Sequence, residues 1–209
     1  MIRLMLVDDH AVVREGYRRL LECQGDLQVV AEAADGAAAL QQWRETAPDV
    51  TVVDLALPGL GGLELIGRLR QRDERCRLLA FSMHRDPLWA TQALRAGALG
   101  YVTKSSPPEQ LVEAVRTVHA GRRVVSADIA GEVTGALLEP APHPSHGLSP
   151  REFEVLRALV GGHAVREIAE ALHLSPKTVH NLHYQIKTKL GVSNDFELAR
   201  LVWHNGWLG

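Results

Sequence analysis

The sequence predicts an α/β domain, built on a doubly wound, five-stranded parallel sheet, followed by a small all-helical domain. Short apolar runs alternate with helix-period stretches through residues 1–121, whereas residues 148–209 contain helix-period stretches only. Runs that are apolar throughout suit strands covered on both faces, and their alternation with helices implies parallel βαβ units. The length of 209 residues also suits two small domains better than one.

Five strands and five helices are predicted in the first domain. The strands are the apolar runs Leu4–Val7, Leu27–Ala33, Val50–Val53, Leu78–Phe81 and Gly100–Val102. The helices lie near Ala11–Cys23, Ala37–Thr46, Gly62–Arg72, Pro87–Ala96 and Pro108–Ala120. Because a helix follows every strand, successive strands can lie parallel.

Residues 122–147 break this alternation and are predicted to form a linker. Ala127–Leu138 could form one helix. Glu139–Gly147 contains three prolines in nine residues, which excludes a helix and favours extended conformations.

Residues 148–209 are predicted to fold as four helices. Ser149 offers an N-cap, Pro150 suits the first helical position and Glu152 completes a capping box. Gly161-Gly162 ends this helix. The other helices are predicted at about Val165–Leu172, from Ser175-Pro176 to Leu190, and at Phe196–Trp203.

The composition excludes several classes of protein. The 23 basic and 25 acidic residues leave a net charge of −2, so no global positive field indicates a nucleic-acid binder. Two cysteines are too few for a disulfide scaffold and suit a reducing compartment. The sequence contains no apolar stretch long enough for a membrane span and no signal-peptide core, so we expect a cytoplasmic protein without membrane association.

Polar side chains follow four of the predicted strands in the first domain. Asp8 and Asp9 follow the first strand, Asp54 the third, Ser82 the fourth and Lys104 the fifth. Ligands of open parallel sheets bind at the carboxyl ends of the strands, so these groups should converge. Each one alone could be an ordinary turn or surface residue. Together they predict a cation site, because neighbouring carboxylates repel one another unless a cation lies among them.

Mg²⁺ is the cation that best suits such a group of oxygen ligands. Beside it, a carboxylate can act as the nucleophile towards a phosphoryl group and form an aspartyl phosphate. Lys104 could then pair with the phosphoryl oxygens, and Ser82 could donate a hydrogen bond. No glycine-rich phosphate loop follows the first strand, where Asp9-His10-Ala11 stands, which argues against nucleotide binding.

Four motifs in this domain occur in a familiar order: V-D-D-H at 7–10, D-L-A-L-P-G at 54–59, S-M-H at 82–84 and Y-V-T-K at 101–104. Together they resemble the receiver domain of a two-component response regulator, a flavodoxin-like fold, over residues 1–121. The resemblance implies that Asp54 is the phosphoacceptor and that a sensor histidine kinase is the donor.

The same resemblance implies roles for the surrounding residues. Asp9, Asp54 and the Ala56 carbonyl would ligate Mg²⁺ directly, and Asp8 would act through water. Lys104 would bind the phosphoryl group. The switch residues, which would change position on phosphorylation, are Ser82 and Tyr101. Met83 departs from the family pattern, which has a small residue there, and its bulk could restrict access to the phosphoryl group.

Two other interpretations of the receiver-like domain stay open. One is a hydrolase with an aspartyl-phosphate intermediate, but such enzymes need a second acid two residues after the nucleophile, where Ala56 stands. The other is a receiver that is no longer phosphorylated, against which the complete acid set and Lys104 argue. We therefore expect a phosphoryl acceptor rather than an enzyme.

The third helix of the C-terminal domain has two different faces. Val179, Leu182, Ile186 and Leu190 recur at helical spacing and should face the core. The segment from Ser175 to Gly191 contains no acid, and its other face presents Lys177, Thr178, His180, Asn181, Tyr184, Lys187 and Thr188. Lysines suit phosphates and asparagine suits base edges. Periodicity alone would equally fit a small helical bundle with a solvated face.

Three further motifs decide between these possibilities: L-S-P-R-E-x-E-V-L at 148–156, E-I-A-x-x-L at 167–172, and S-P-K-T-V-H at 175–180 with K-L-G-V-S-N at 189–194. They resemble the LuxR-type helix-turn-helix over residues 148–209. The resemblance implies DNA contacts by Lys177, His180, Asn181 and Tyr184, with Lys187 and Lys189 near phosphates.

Receiver and helix-turn-helix together resemble the NarL/FixJ class of response regulators, and the C-terminal strings carry a weaker hint of the regulators of hexose-phosphate uptake. The class implies a transcription regulator that binds double-stranded promoter DNA as a homodimer when phosphorylated, with RNA polymerase as a further partner. His180 stands where a lysine is common and Leu182 where a histidine is common, so base preference does not carry over.

Overall fold

The computed structural model describes residues 1–138 and 147–204, which fall into two compact units. The first unit comprises Met1–Leu138, and the second contains the described residues from 147 onward. Most of the proline-rich segment predicted at Glu139–Gly147 lies outside the described residues. No helix in the two described ranges has the length and apolarity needed to cross a membrane.

The first unit alternates strands and helices as predicted. Its strands are β1 Ile2–Val7, β2 Leu27–Ala33, β3 Val50–Val53, β4 Leu78–Ser82, β5 Gly100–Thr103 and β6 Val124–Val125. Its helices are α1 Ala11–Glu22, α2 Gly36–Thr46, α3 Gly62–Arg72, α4 Pro87–Ala96, α5 Pro108–His119 and α6 Ala130–Leu138.

The strands form one parallel sheet in the order β2-β1-β3-β4-β5-β6. The sheet therefore has six strands where five were predicted. The additional strand, β6, pairs Val124 with Gly100 and Val125 with Tyr101. Two residues are too few to register as an apolar run, so this strand has no signal in the sequence. The strand order reverses between β1 and β3, so the switch point lies where the acidic residues follow these strands.

Helices cover both faces of the sheet. Leu4, Leu6 and Val52 pack with α1 and α5 residues such as Leu21 and Val115 in one apolar core. Alternate residues such as Met5 and Val7 are also buried, because strand side chains point to opposite faces in turn. Helices α2, α3 and α4 contact one another in sequence along the sheet.

Residues 122–138, predicted as the beginning of a linker, belong to the first unit. They form β6 at the sheet edge and α6, which packs on α4. As a result, all of the residues from Leu88 to Ala93 in α4 are buried. The helix predicted from Ala127 begins at Ala130, because residues 127–129 form a turn.

The second unit contains four helices in its described residues: α7 Pro150–Val160, α8 Val165–Ala171, α9 Pro176–Leu190 and α10 Asp195–His204. The capping box predicted at the start of α7 is present, with Ser149 N–H donating to Glu152 Oε2 at 2.7 Å. Helix α9 packs on α7 and α8 through the buried side chains of Val179 and Ile186. Leu182 and Leu190, also predicted to face the core, are half-buried.

Candidate functional site

The acidic residues predicted to converge do so at the carboxyl edge of the sheet. β1 and β3 pair in register up to Val7 and Val53, which places the residues that follow them side by side. Backbone hydrogen bonds hold both aspartates at the ends of their strands. The Asp54 N–H donates to the Val7 carbonyl at 2.8 Å, and the Asp8 N–H donates to the Ala33 carbonyl at 3.1 Å. The Asp8 and Asp54 side chains are buried.

Lys104 connects these two carboxylates. Its Nζ lies 2.6 Å from Asp8 Oδ2 and 2.6 Å from Asp54 Oδ2, and all three side chains are less than 9% exposed. Burial acts to lower the pKa of the Lys104 ammonium, but the hydrogen bonds to Asp54 and Asp8 outweigh burial and raise it. The site is therefore a pair of buried carboxylates held together by a protonated amine from the residue that follows β5.

Asp9 and His10 extend the cluster towards solvent. Ligand atoms of Asp8, Asp9, His10 and Asp54 all lie within 4.8 Å of one another. The His10 imidazole, which the sequence analysis did not select, has its Nδ1 2.7 Å from Asp9 Oδ1. Ala56 donates its N–H to Asp54 Oδ1 at 3.1 Å, so its peptide lies at the same carboxylate. Most of these ligand atoms are oxygens, and two of the carboxylates already pair with the Lys104 ammonium. This set of ligands fits Mg²⁺.

Ser82 is the last residue of β4, and Tyr101 lies in the neighbouring strand β5, opposite Ala80. Ser82 is buried, and its Oγ accepts the His84 N–H at 3.3 Å. The Tyr101 ring is fully buried and its hydroxyl donates to the His84 carbonyl at 2.7 Å. Burial raises the pKa of the Tyr101 hydroxyl, opposed by a hydrogen bond with Ser82. The Tyr101 ring therefore lies inside the receiver unit, with its hydroxyl on the loop that follows β4.

Two residues that the sequence analysis missed support this site. Arg14 donates to the Asp8 carbonyl at 2.6 Å and to Glu32 at 2.9 Å, which ties α1 and β2 to the edge of the sheet. His84 accepts from Tyr101 through its carbonyl and stacks on Trp89, with ring centroids 4.3 Å apart and planes 4° apart. The S-M-H motif draws attention to His84, whereas Arg14 reads as an ordinary surface arginine of an amphipathic helix.

On the second unit, α9 presents most of its predicted DNA-contacting residues to solvent. The exposed members of this set are Lys177, Thr178, His180, Asn181, Tyr184 and Lys189. The Tyr184 side chain is 72% exposed, which is unusual for an aromatic residue with no interface to make. The opposite side of α9 is buried, so the helix is attached along one face and free along the other.

Two lysines of the predicted set form ion pairs inside this unit. Lys187 Nζ lies 2.9 Å from Asp195 Oδ1 of α10, and the Nε2 of His183 lies 2.9 Å from the same oxygen. Lys189 Nζ lies 2.6 Å from Glu152 Oε2 of α7. Both lysines therefore help to hold α9 against its neighbours, and their contact with phosphates stays a prediction.

The turn between α8 and α9 is made by a histidine in the left-handed region. His173 has φ = 49°, and Leu174 N–H bonds to the Ala169 carbonyl at 2.7 Å. Arg151 of α7 donates to the Leu172 carbonyl at the end of α8 and to Glu154. The start of α7 thereby fixes the turn that sets the direction of α9.

Comparison with known families matches both units. Residues 4–116 match the family described as response regulator receiver domain, and residues 146–202 match bacterial regulatory proteins of the luxR family. Response regulator UvrY of Escherichia coli K12 is 36% identical over 208 residues, covering 99% of this chain and 95% of the relative. Response regulator GacA of Pseudomonas aeruginosa is 37% identical, covering 99% of this chain and 97% of the relative.

Solved structures agree with these matches. A LuxR-family two-component response regulator from Aurantimonas sp. SI85-9A1 is 52% identical with a TM-score of 0.64, covering 66% of this chain and 99% of that one. RcsB from Salmonella enterica serovar Typhimurium, bound to promoter rprA in the presence of the phosphomimetic BeF3⁻, is 27% identical with a TM-score of 0.66, covering 96% and 97%. The chain therefore belongs to the NarL/FixJ class of two-component response regulators, in which a receiver domain precedes a LuxR-type DNA-binding domain.

Proposed function

We propose that the protein is a phosphorylation-dependent transcription regulator whose Asp54 accepts a phosphoryl group from a sensor histidine kinase. The observation that carries this proposal is the position of Lys104, 2.6 Å from both Asp8 and Asp54 in a buried setting. An ammonium held against an aspartate at a sheet edge is placed to pair with the oxygens of a phosphoryl group added to that aspartate.

The transfer itself needs few groups. A carboxylate oxygen of Asp54 attacks the phosphorus of the kinase phosphohistidine, the new O–P bond forms, and the P–N bond breaks with its electron pair on the imidazole nitrogen. That nitrogen takes up a proton when the imidazole leaves. Lys104 neutralises charge on the phosphoryl oxygens, and Ser82 is available to donate a hydrogen bond to one of them. The protein accepts this group and does not turn over a substrate of its own.

Magnesium belongs to the same proposal. Asp9, Asp54 and the carbonyl of Ala56 would hold Mg²⁺, with Asp8 acting through water. When bound, the ion supplies positive charge that offsets the repulsion between the carboxylates and the incoming phosphoryl oxygens. Lys104 and the ion would share the Asp54 carboxylate, and Lys104 also holds the neighbouring Asp8.

Phosphorylation would act on a balance between two arrangements. In one, Tyr101 lies inside and bonds to the His84 carbonyl, as it does here; in the other, the ring lies outside. A phosphoryl group that draws Ser82 towards Asp54 favours the first. Changing the ratio of two states from 1:99 to 99:1 requires about 5.5 kcal/mol of differential stabilisation.

The output of this balance is DNA binding by a homodimer. The exposed face of α9 supports this part of the proposal, since Lys177, Asn181 and Tyr184 are free to enter a major groove. Two such helices in a dimer would contact half-sites about one helical turn apart. We further propose that the bound dimer contacts RNA polymerase and that the protein acts in the cytoplasm.

Phosphoryl uptake from acetyl phosphate in the presence of Mg²⁺ tests the proposal. The full-length protein is incubated with this donor and separated on a phosphate-affinity gel. We expect a shifted band for wild type, its loss in Asp54→Asn, and its retention in Asp73→Asn, which changes a half-buried aspartate at the end of α3, away from the site. A shifted band in Asp54→Asn equal to that of wild type would refute the assignment.

A second measurement separates an acceptor from a hydrolase. Release of inorganic phosphate from small phosphate esters should stay at the level of a buffer blank, while the shifted band accumulates in proportion to protein and stops at one phosphoryl group per chain. Sustained turnover would favour the hydrolase interpretation.

A further inference from the structure

The loop between β4 and α4, residues 83–86, contacts three separate elements of the receiver unit. The His84 carbonyl accepts from Tyr101 of β5, and the His84 ring stacks on Trp89 of α4. The next residue, Arg85, has its Nε 3.6 Å from Asp128 Oδ2 in the turn before α6. Because His84 also donates to Ser82, a displacement of Ser82 reaches all three elements through adjacent residues.

The Asp128 side chain contacts both this loop and the end of β5. Its Oδ2 accepts from Thr103 Oγ1 at 2.8 Å, and Thr103 immediately precedes Lys104. Burial acts to raise the pKa of Asp128, but hydrogen bonds from Ser126 and Thr103 outweigh burial and lower it. The carboxylate is therefore charged, and the same oxygen contacts both β5 and the β4–α4 loop.

Helix α6 is fixed to the receiver directly after Asp128. Ile129 and Val133 are buried, and α6 packs on α4. Residue 139, which follows α6, begins the proline-rich segment that leads to the DNA-binding unit. Among the described residues, α6 is the receiver element nearest in sequence to the DNA-binding unit.

We propose that Asp128 is the positioning residue through which phosphorylation of Asp54 controls α6. When Ser82 and His84 move, Arg85 moves with them, and the pull on Asp128 shifts the start of α6 against α4. The inference rests on the proposed phosphorylation of Asp54. An exposed ion pair adds little to stability, so its loss should disturb the response of α6 much more than the fold.

Hydrogen exchange in α6 of the full-length protein tests the inference. Amide exchange of Ala130–Leu138 is measured with and without beryllofluoride and Mg²⁺, and we expect the wild-type rate to change by about fivefold. In Arg85→Asp the change should disappear, because two negative side chains then face each other. Arg85→Asp keeps the Thr103–Asp128 hydrogen bond, so α6 stays folded in that variant.

A charge reversal provides the decisive comparison. Asp128→Arg alone should also lose the response, and the double variant Arg85→Asp/Asp128→Arg should regain at least half of it. Arg75→Asp, which breaks an exposed pair with Asp73 elsewhere, serves as the matched control and should respond like wild type.

The outcomes separate this inference from the proposed function. If wild type takes up a phosphoryl group from acetyl phosphate but α6 exchange does not respond to beryllofluoride, the coupling is refuted and phosphorylation stands. The coupling is also refuted if α6 exchange in both single variants responds to beryllofluoride as it does in wild type. It is likewise refuted if the double variant does not recover this response. Absence of phosphoryl uptake in wild type would instead overturn the proposed function.

Discussion

A Cβ atom added to Gly62 would lie 2.1 Å from the carbonyl oxygen of Asp54 and 2.5 Å from the Cα of Leu55. Gly62 is the first residue of α3, and its N–H bonds to the Leu55 carbonyl at 3.1 Å. The backbone that presents the phosphoacceptor thus passes directly over the start of α3, where only a glycine leaves room for it.

Gly62→Ala should therefore damage both the fold and the site. We expect the free energy of unfolding to fall by about 1–3 kcal/mol, because neither backbone can give way easily, and phosphoryl uptake to be lost. Gly67→Ala in the same helix has open space at its Cβ position and should gain about 0.5–1 kcal/mol. Urea unfolding and phosphate-affinity gels measure both effects; equal behaviour of the two variants would contradict the clash.

Lys104→Met should destabilise the receiver and make its stability depend more strongly on Mg²⁺. Removing the amine leaves two buried carboxylates without a counter-charge, which costs about 3 kcal/mol. Millimolar MgCl₂ should recover part of that loss, and Asp54→Asn in the same chain should recover part of it without Mg²⁺. Urea unfolding with and without the salt checks this. If Mg²⁺ stabilised wild type and Lys104→Met equally, the ion and the amine would not share a site.

His173→Asn should stabilise the DNA-binding unit. An L-residue in the left-handed region costs about 1–2 kcal/mol, and asparagine tolerates that region better than most residues. A gain of about 0.5–1 kcal/mol is expected from denaturant unfolding of the full-length chain. Gln185→Gly, in the middle of α9, should instead lower the free energy of unfolding by about 0.8 kcal/mol. A loss in His173→Asn would mean that the imidazole itself stabilises the turn.

Acid should weaken the packing of α9 on α10 through His183. Burial lowers the pKa of His183 below 6.5, although Asp195 acts to raise it. As pH falls below 6.5, the unfolded chain then binds more protons than the folded chain. The contribution of neutral His183 to the free energy of unfolding is therefore present above that pH and is lost on acidification. His183→Gln should flatten the dependence of unfolding free energy on pH between neutrality and pH 5. A dependence as steep as that of wild type would exclude His183 as the source.

Lys177 and Lys189 should differ in their effect on DNA binding. Lys177 is exposed, and the structure gives it no ion pair among the described residues, whereas Lys189 pairs with Glu152. On a promoter fragment selected from genomic DNA by the phosphorylated protein, Lys177→Ala should reduce the slope of log K against log salt by about 1. Lys189→Ala should change the slope less and should lower stability. Fluorescence anisotropy at several salt concentrations distinguishes them, and equal slopes would assign both lysines to phosphates.

The sequence predicted most of the fold because each element carries its own local signal. Val50–Val53 and Gly62–Arg72 were found with the bounds that the structure has, since a wholly apolar run and a helical period are both readable within one element. β6 and the burial of α4 under α6 were not found. Both arise from contacts between distant segments, and two residues paired at a sheet edge leave no periodic pattern.

The candidate site shows the same division. Asp8, Asp54 and Lys104 could be predicted to meet because parallel strands end at one edge. The inward position of Tyr101, the ion pairs of Lys187 and Lys189, and the contact of Arg85 with Asp128 could not, because they depend on which rotamer a side chain adopts among several possible partners. The position of a residue along its strand can be read from the local sequence. The hydrogen-bond or ion-pair partner of its side chain is determined only in the folded protein.

Glu152 joins two ends of the DNA-binding unit that lie far apart in the chain. One carboxylate oxygen accepts from Ser149, where the chain enters the unit, and from Lys189, in the last turn of α9. Glu152 thus connects the N-terminal end of α7 to the C-terminal turn of α9. A change in backbone direction at Ser149 therefore acts on the last turn of α9 through a single carboxylate oxygen.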